Sequence, residues 1–421
     1  MSNDFVKKNY HIIIYTFCYL SLFIGFLFGE NVTSGPKFDF FHTWNGAMEF
    51  NNNIISSLIN FEEIQNKTRV SPIYLILISY LNNVFESFEL TRFILFFTLT
   101  FSQIFFYKIL KLIYYPNITE NKKILFLLSC IIFISPSFRA NVIWPESAML
   151  GLMFFLIGLY FFFKSQRTTE KKYIYLNIFF VAVAAYIRPS FAVFSIFFFI
   201  YSTIKFKNIR IIISIILLNI FLASPALYYV FILDIHFFNQ GVQLNSLNLN
   251  YLNKILIIFS IIFFHTIPIL FYKNFFYEKS FFSKNLSLLI LLLPISAVLV
   301  YLFSYDINLT GGGIFLHISY FIFNSYYFFF LLVPFFVFFI IKLLQIDFYR
   351  NFLILALVVI SIPQFTVYHK YLDPLILILL FTLFNLRVGK SFFDFRNLCF
   401  LYLFYTIYYF ITFFNNYFLI A

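Results

Sequence analysis

Apolar residues run through this chain in stretches of about 15 to 22, divided by short polar breaks. Stretches of that length match helices crossing a bilayer one after another, because a helix rises about 1.5 Å per residue and the hydrocarbon core is about 30 Å thick. The pattern predicts spans at about 11–28, 91–110, 124–140, 146–163, 173–189, 190–204 and 211–231. Further spans follow at about 254–272, 285–304, 318–341, 351–368, 374–386 and 397–419. The expected fold is therefore all-α, a polytopic transmembrane helical bundle of about 13 spans. The longest polar interval, Glu30 to Ser71, follows the first span. In it Trp44, Met48, Ile54, Ile55, Leu58 and Ile59 recur at roughly helical spacing among the acids Asp39, Glu49, Glu62 and Glu63, which predicts one or two short interfacial helices. The next apolar run opens at Ser71-Pro72 and lasts only about 15 residues before Glu86. It reads as a re-entrant or interfacial helix with Pro72 in its first turn.

Composition agrees with a membrane protein, since 62% of residues are hydrophobic and only 11% are charged, too few to coat a soluble chain of 421 residues. Charge then orients the spans. Lys7 and Lys8 precede the first span and no small-x-small cleavage site follows it, so a retained signal-anchor with a cytoplasmic N-terminus is expected. On that topology the outer side holds Lys37, Lys67, Arg69, Arg92, Arg139, Arg188, Lys254 and Lys370, and the other 21 of the 29 Lys and Arg lie in the cytoplasm; 11 of the 17 acids lie outside. The net charge of +12 is then the positive-inside rule repeated along the chain, and no nucleic-acid partner is implied. Cations kept on the disfavoured side become the ones to explain. No cytoplasmic loop has room for a nucleotide-binding domain and no Walker A glycine run is present, which excludes ATP-driven transport by this chain alone. Cys18, Cys130 and Cys399 fall inside spans without metal-site spacing and read as small buried hydrophobes.

Candidate chemistry is thus confined to outer loops and span ends. The outer turns carry Ser135-Pro136-Ser137-Phe138-Arg139 with Trp144-Pro145-Glu146, then Tyr186-Ile187-Arg188-Pro189, then Asp234 and His236, then Asp306 with Gly311-Gly312-Gly313. Last comes the polar cluster Tyr368-His369-Lys370-Tyr371-Leu372-Asp373-Pro374.

The order of these pieces resembles the GT-C class of membrane glycosyltransferases, in particular bacterial relatives of dolichyl-phosphate-mannose protein mannosyltransferases. An acid in the first outer loop, then a His-Pro-Pro-Leu-like segment, then Arg before a span, appear here as Asp39, Ser71-Pro72-Ile73-Tyr74 and Leu90-Thr91-Arg92-Phe93. Ser135-Pro136, Pro145-Glu146 and Arg188-Pro189 resemble the next two outer turns, and Tyr371 to Pro374 resembles a late Arg-Tyr-Leu-x-Pro with Lys370 in place of the Arg. The likeness covers about residues 10–210 and 365–386. Two departures are Ser71-Pro72 for the His-Pro-Pro and a single Asp39 for the usual acidic pair. The resemblance implies an N-terminal module, 1–210, carrying the catalytic outer loop, and a variable C-terminal module, 211–421.

It also implies sugar transfer from a polyprenyl-phosphate donor to a lipid, glycan or protein acceptor on the periplasmic side of a bacterial inner membrane. For such a reaction Asp39 is the candidate base, its pKa open to elevation by desolvation at membrane level. Arg139, Arg188 and Lys370 are the candidate donor-phosphate cations, and the leaving phosphate needs no general acid. His42, Trp44, Glu146, His369 and Tyr371 are candidate substrate-binding residues. Arg139 and Arg188 have an alternative role, snorkelling to headgroups. Glu146 has three: orienting the acceptor, binding a divalent metal, or capping the helix after Pro145. Asp39, His42 and Glu146 together would form an oxygen-rich Mg2+ or Mn2+ site if they met. Two other functions compete. A surface-polysaccharide polymerase or ligase would carry its largest outer loop late in the chain; a lipid-linked oligosaccharide flippase or transporter would gain if Pro268, Pro294 and Pro334 broke helices around a cavity.

Overall fold

The computed structural model describes residues 3–33, 35–51, 53–61, 64, 70–115, 122–168, 170–231, 251–270, 281–305, 311–362, 366–387 and 392–419. The expectations placed on Glu62, Glu63, Lys67, Arg69, Asp234, His236 and Asp306 lie outside them. Among the described residues every regular element is helical. Among the described residues eight helices are long and apolar enough to cross a membrane, and a bent pair makes a ninth candidate. The thirteen spans read from hydropathy are a finer count than these lengths support. The chain divides into two compact units, Met1–Leu244 with Tyr405–Ala421, and Asn245–Phe404. The C-terminal end of the chain thus belongs to the first unit.

The first unit opens with α1 (Asn3–Leu27) and continues into α2 (Gly35–Met48) and α3 (Ile54–Ile59). These last two are the short helices expected of the long polar interval. Asn53 caps α3, its side chain accepting from the backbone N–H groups of Ile55 and Ser56. α4 (Pro72–Phe85) starts on Pro72 and stops at Glu86 in the left-handed region. Its 14 residues reach about 21 Å, short of a full crossing. α5 (Phe88–Tyr114) follows, capped by the Ser87 side chain.

The stretch expected as one span at 124–140 is broken. α6 (Lys122–Cys130) runs through a 3-10 turn and meets α7 (Pro136–Ile143) at 65°. Pro136 has no N–H to continue the ladder and Ser135 caps the new start, so the bend is written locally. α8 (Ser147–Arg167) and α9 (Lys172–Ile187) form an antiparallel pair, with Asn177 Nδ2 donating to Gly158 O at 2.9 Å. A 3-10 segment from Pro189 leads to α10 (Ser195–Phe206) and then α11 (Ile209–Phe231). At one end of this unit basic side chains close helix C-termini. Arg167 donates to Tyr115 O at 2.5 Å and Lys205 to Thr168 O at 2.9 Å, which suits the negative ends of the dipoles.

The second unit contains α12 (Tyr251–Leu270), α13 (Phe281–Tyr301), α14 (Ile314–Phe323) and α15 (Tyr327–Ile346). The span expected at 318–341 is interrupted at Asn324, in the left-handed region, between α14 and α15. Pro268, Pro294 and Pro334 lie inside α12, α13 and α15, which run through them. Next come α16 (Phe348–Ile360), the single turn α17 (His369–Leu372) and α18 (Leu375–Thr382). At about 20 Å and 12 Å, neither α16 nor α18 is long enough to cross alone. The start of α16 and the end of α18 are tied. Arg350 donates to Leu383 O at 2.6 Å and Thr382 O at 3.2 Å, and Asn351 exchanges bonds with the Asn385 backbone. The last helix, α19 (Phe395–Phe414), begins in the second unit and finishes in the first.

Candidate active-site end of the first unit

Six of the nine candidate residues belong to the first unit, and three turns that are far apart in sequence meet there. The Ser71 hydroxyl, one residue before α4, donates to Ile187 O at 3.1 Å, directly before Arg188. Tyr74, on the first turn of α4 and fully enclosed, donates to Pro145 O at 2.6 Å, directly before Glu146. A Cβ on Gly151 of α8 would lie 2.9 Å from Arg188 Cβ, so only glycine lets the Arg188 turn settle on the helix that Glu146 opens. The Ser-Pro, Pro-Glu and Arg-Pro pieces are thereby held on one another. Burial pushes the Tyr74 phenol well above its usual range, and the nearby Glu146 charge adds to the effect.

Glu146 is 8% exposed and occupies the N-cap position of α8, but its side chain makes no cap hydrogen bond. Its backbone opens the helix, so capping does not account for the carboxylate. Arg188 is half-buried at the end of α9, in extended conformation before Pro189.

Asp39 is half-buried on α2 and His42 is exposed there, edge-on to Phe38 at 4.3 Å. Trp44 is half-buried and packs edge-on against Phe88 at 4.7 Å. The enclosed face of this helix includes Phe40, whose ring lies 6.4 Å from Trp144, with Phe41 at 5.7 Å from the same indole. α2 is thus seated on the residue that precedes Pro145-Glu146. Among the described residues no three His, Cys, Asp or Glu side chains are grouped to hold a metal ion, so Asp39, His42 and Glu146 do not form the oxygen-rich site considered from sequence.

Arg139 is placed differently from a phosphate-binding cation. It is 3% exposed and pairs with Glu30 through Nε at 2.9 Å and Nη2 at 2.6 Å. Nη1 donates to Ser21 Oγ and Phe133 O, and Nη2 also to Ser21 O. Guanidinium has five N–H donors, and all are committed within the fold. Arg92 is committed as well: it bonds Ile143 O and Phe26 O and lies between the Phe26 and Trp144 rings at 4.4 and 4.3 Å. Arg139 and Arg92 therefore hold the scaffold; Arg188 is this unit's other candidate phosphate cation. Glu30 and Tyr74 were not among the candidates. Tyr74 sits inside the quoted Ser-Pro-Ile-Tyr piece, while Glu30, an acid at the end of the first span, carried only the signal of an unexplained charge at an apolar edge.

The other three candidates lie in the second unit. The His369 ring stacks on His265 of α12, with centroids 5.5 Å apart and planes 26° from parallel. Lys370 lies over the Tyr368 and Tyr371 rings at 5.8 and 5.4 Å. Gly312 N–H donates to Val367 O at 2.9 Å and so ties the glycine triplet to this turn. Burial, with His317 close by, lowers His369 to about 3 from 6.5. The folded form stays neutral where the unfolded imidazole takes up a proton, so stability is full above about pH 6.5 and is lost as pH falls from there toward 3. The slope from this residue is at most about 1.4 kcal/mol per pH unit. Thermal unfolding in nanodiscs between pH 7.5 and 4.5 should therefore show a falling midpoint that is flatter in His369→Gln. Parallel curves for the two proteins would remove His369 as the cause.

No family model matches the chain, and neither a curated protein nor a solved structure matches it.

Proposed function

We propose that this membrane protein is a glycosyltransferase that moves a sugar from a polyprenyl-phosphate donor to a lipid, glycan or protein acceptor. The reaction is placed on the periplasmic side of a bacterial inner membrane, with the N-terminus in the cytoplasm. The observation that carries the reading is the meeting of Ser71, Pro145-Glu146 and Arg188 at one end of the first unit. These are the pieces whose order resembles GT-C enzymes, and the helix bearing Asp39 is seated on Trp144 beside them.

In this reading Asp39 takes the acceptor hydroxyl proton as the new C–O bond forms at the anomeric carbon, which gains oxocarbenium character. The bond from that carbon to the phosphate oxygen breaks, and the phosphate leaves with the electron pair. Arg188 stabilises that charge. The transporter alternative does not gain from Pro268, Pro294 and Pro334, which lie within continuous helices.

Transfer is to be measured in membranes from cells expressing the wild type and Asp39→Asn at equal level, with a panel of polyprenyl-phosphate sugars and extracted glycolipid acceptors. The expected result is transfer by the wild type, reduced about 100-fold or more in Asp39→Asn. Equal transfer by both removes Asp39 as the base and keeps the enzyme. No transfer from any donor removes the reading.

A further inference from the structure

Away from the turns at Trp144, α5 and α8 share a second feature. On α5 the exposed side chains Phe97, Phe101 and Ile104 follow one another at three or four residues and so line one face, which continues into the exposed Lys108 and Lys111. Lys108 lies about 24 Å along the helix from Arg92, the residue held against Trp144. α8 packs beside α5, with the Phe105 and Tyr160 rings edge-on at 6.4 Å, and carries the half-buried Lys164 one turn beyond Tyr160.

The two ammonium groups converge on one ring. Lys108 Nζ is 5.9 Å and Lys164 Nζ 5.8 Å from the Tyr160 centroid, so they are no more than about 12 Å apart. Each also lies over a second ring, Lys108 over Phe105 at 5.2 Å and Lys164 over Tyr173 at 4.3 Å. Among the described residues no carboxylate pairs with either, and Glu170 is taken by Lys172. Like charges this close repel, and an anion set between them replaces repulsion with attraction.

The apolar stripe selects the kind of anion. From Phe97 to Lys108 it is about 16 Å long, close to the hydrocarbon depth of one leaflet. α5 is long and apolar enough to cross a membrane, so acyl chains cover this face and the lysines stand where the headgroups begin. A water-soluble anion would use the lysines and leave the stripe, whereas a phospholipid uses both. A zwitterionic headgroup would bring its own ammonium against Lys108, Lys111 and Lys164; a headgroup of net negative charge would not.

We propose that α5 and α8 bind one phospholipid of net negative charge. Its phosphodiester is held between Lys108 and Lys164 beside Tyr160, with an acyl chain along Phe101 and Ile104. The site is independent of the transfer reaction.

The full-length protein in detergent is titrated with dioleoylphosphatidylglycerol and with dioleoylphosphatidylcholine, and bound lipid is counted by native mass spectrometry. One phosphatidylglycerol should bind about tenfold or more tighter than phosphatidylcholine. Lys108→Gln and Lys164→Gln should each weaken it about fivefold, the factor for about 1 kcal/mol per lysine near a membrane surface. Lys108→Arg should retain it. Lys207 and Arg210, exposed at the α10–α11 turn, supply the comparison: Lys207→Gln/Arg210→Gln should leave the affinity unchanged. An excess of inorganic phosphate should not displace the lipid. If Lys164→Gln lowers the unfolding midpoint, the exposed Lys108 decides alone. Equal affinity for the two lipids, unchanged affinity in Lys108→Gln, or equal weakening by Lys207→Gln/Arg210→Gln overturns the proposal and leaves the general attraction of a basic surface. Displacement by phosphate overturns it in favour of a water-soluble anion.

Discussion

Arg139→Leu should destabilise the protein by about 3–5 kcal/mol, the range for removing one partner of a buried ion pair. The cause is what remains: Glu30, 9% exposed, would keep a carboxylate with its two guanidinium bonds gone. Ser21 and Phe133 would lose donors at the same time. The double variant Glu30→Leu/Arg139→Leu should recover much of the loss, because an apolar pair leaves no uncompensated charge. Thermal unfolding of the four proteins in nanodiscs gives the coupling, and additive losses would show that the two side chains do not act together. The damage should also reach α2. The Glu30 carbonyl accepts Trp144 Nε1 at 3.1 Å, and Trp144 in turn carries Phe40, Phe41 and the Arg92 guanidinium. If the proposed transfer activity is this protein's, loss of the ion pair should therefore lower it even though Asp39 is untouched.

Gly311→Ala is expected to cost about 2–4 kcal/mol in the second unit, from two sources that add. Gly311 has φ +112, a conformation that a residue with a Cβ adopts only under strain. The new methyl would also lie 2.8 Å from Val367 O and 2.9 Å from Tyr305 Oη. Neither neighbour is a mobile side-chain tip: Tyr305 is 2% exposed, and Val367 O already receives the Gly312 N–H. Gly313→Ala is the milder comparison, with φ +80 and its nearest atom 3.2 Å away on the Ile261 side chain. Unfolding midpoints for the two variants should differ in that order. Equal midpoints would mean that the close approach at Gly311 relaxes without cost.

Much of the architecture was legible because hydropathy reports burial and helix length together. The first span, the helices of the polar interval and the short helix at Pro72 all follow from periodicity and punctuation. The bend at Ser135-Pro136 was less so. Its apolar run satisfies a span of 17 residues, and only the pyrrolidine and the serine cap reveal that one helix ends and another starts. Asn324 breaks another run in the same quiet way, since a left-handed asparagine leaves little trace in a hydropathy window. For the site, the sequence order located the three turns but not the roles of the cations. Arg139 and Arg188 look alike on paper, each beside a proline-containing outer turn. What separates them is Glu30, 109 residues from Arg139, a distance no local pattern spans.

The ties between Arg350, Asn351 and the end of α18 have a consequence for sidedness. They hold residues 350 and 385 together, so the chain departs and returns at one face. Charge bias fixes only the parity of crossings, and two more or two fewer between those residues leave every later loop on the same side. A reporter fused beyond residue 385 would give one answer for a hairpin that crosses and for one that turns back within the bilayer. A thiol-reactive probe directed at cysteines placed in 366–374 gives different answers for the two. The Tyr368–Pro374 cluster thus occupies a stretch where the sidedness rule has no leverage.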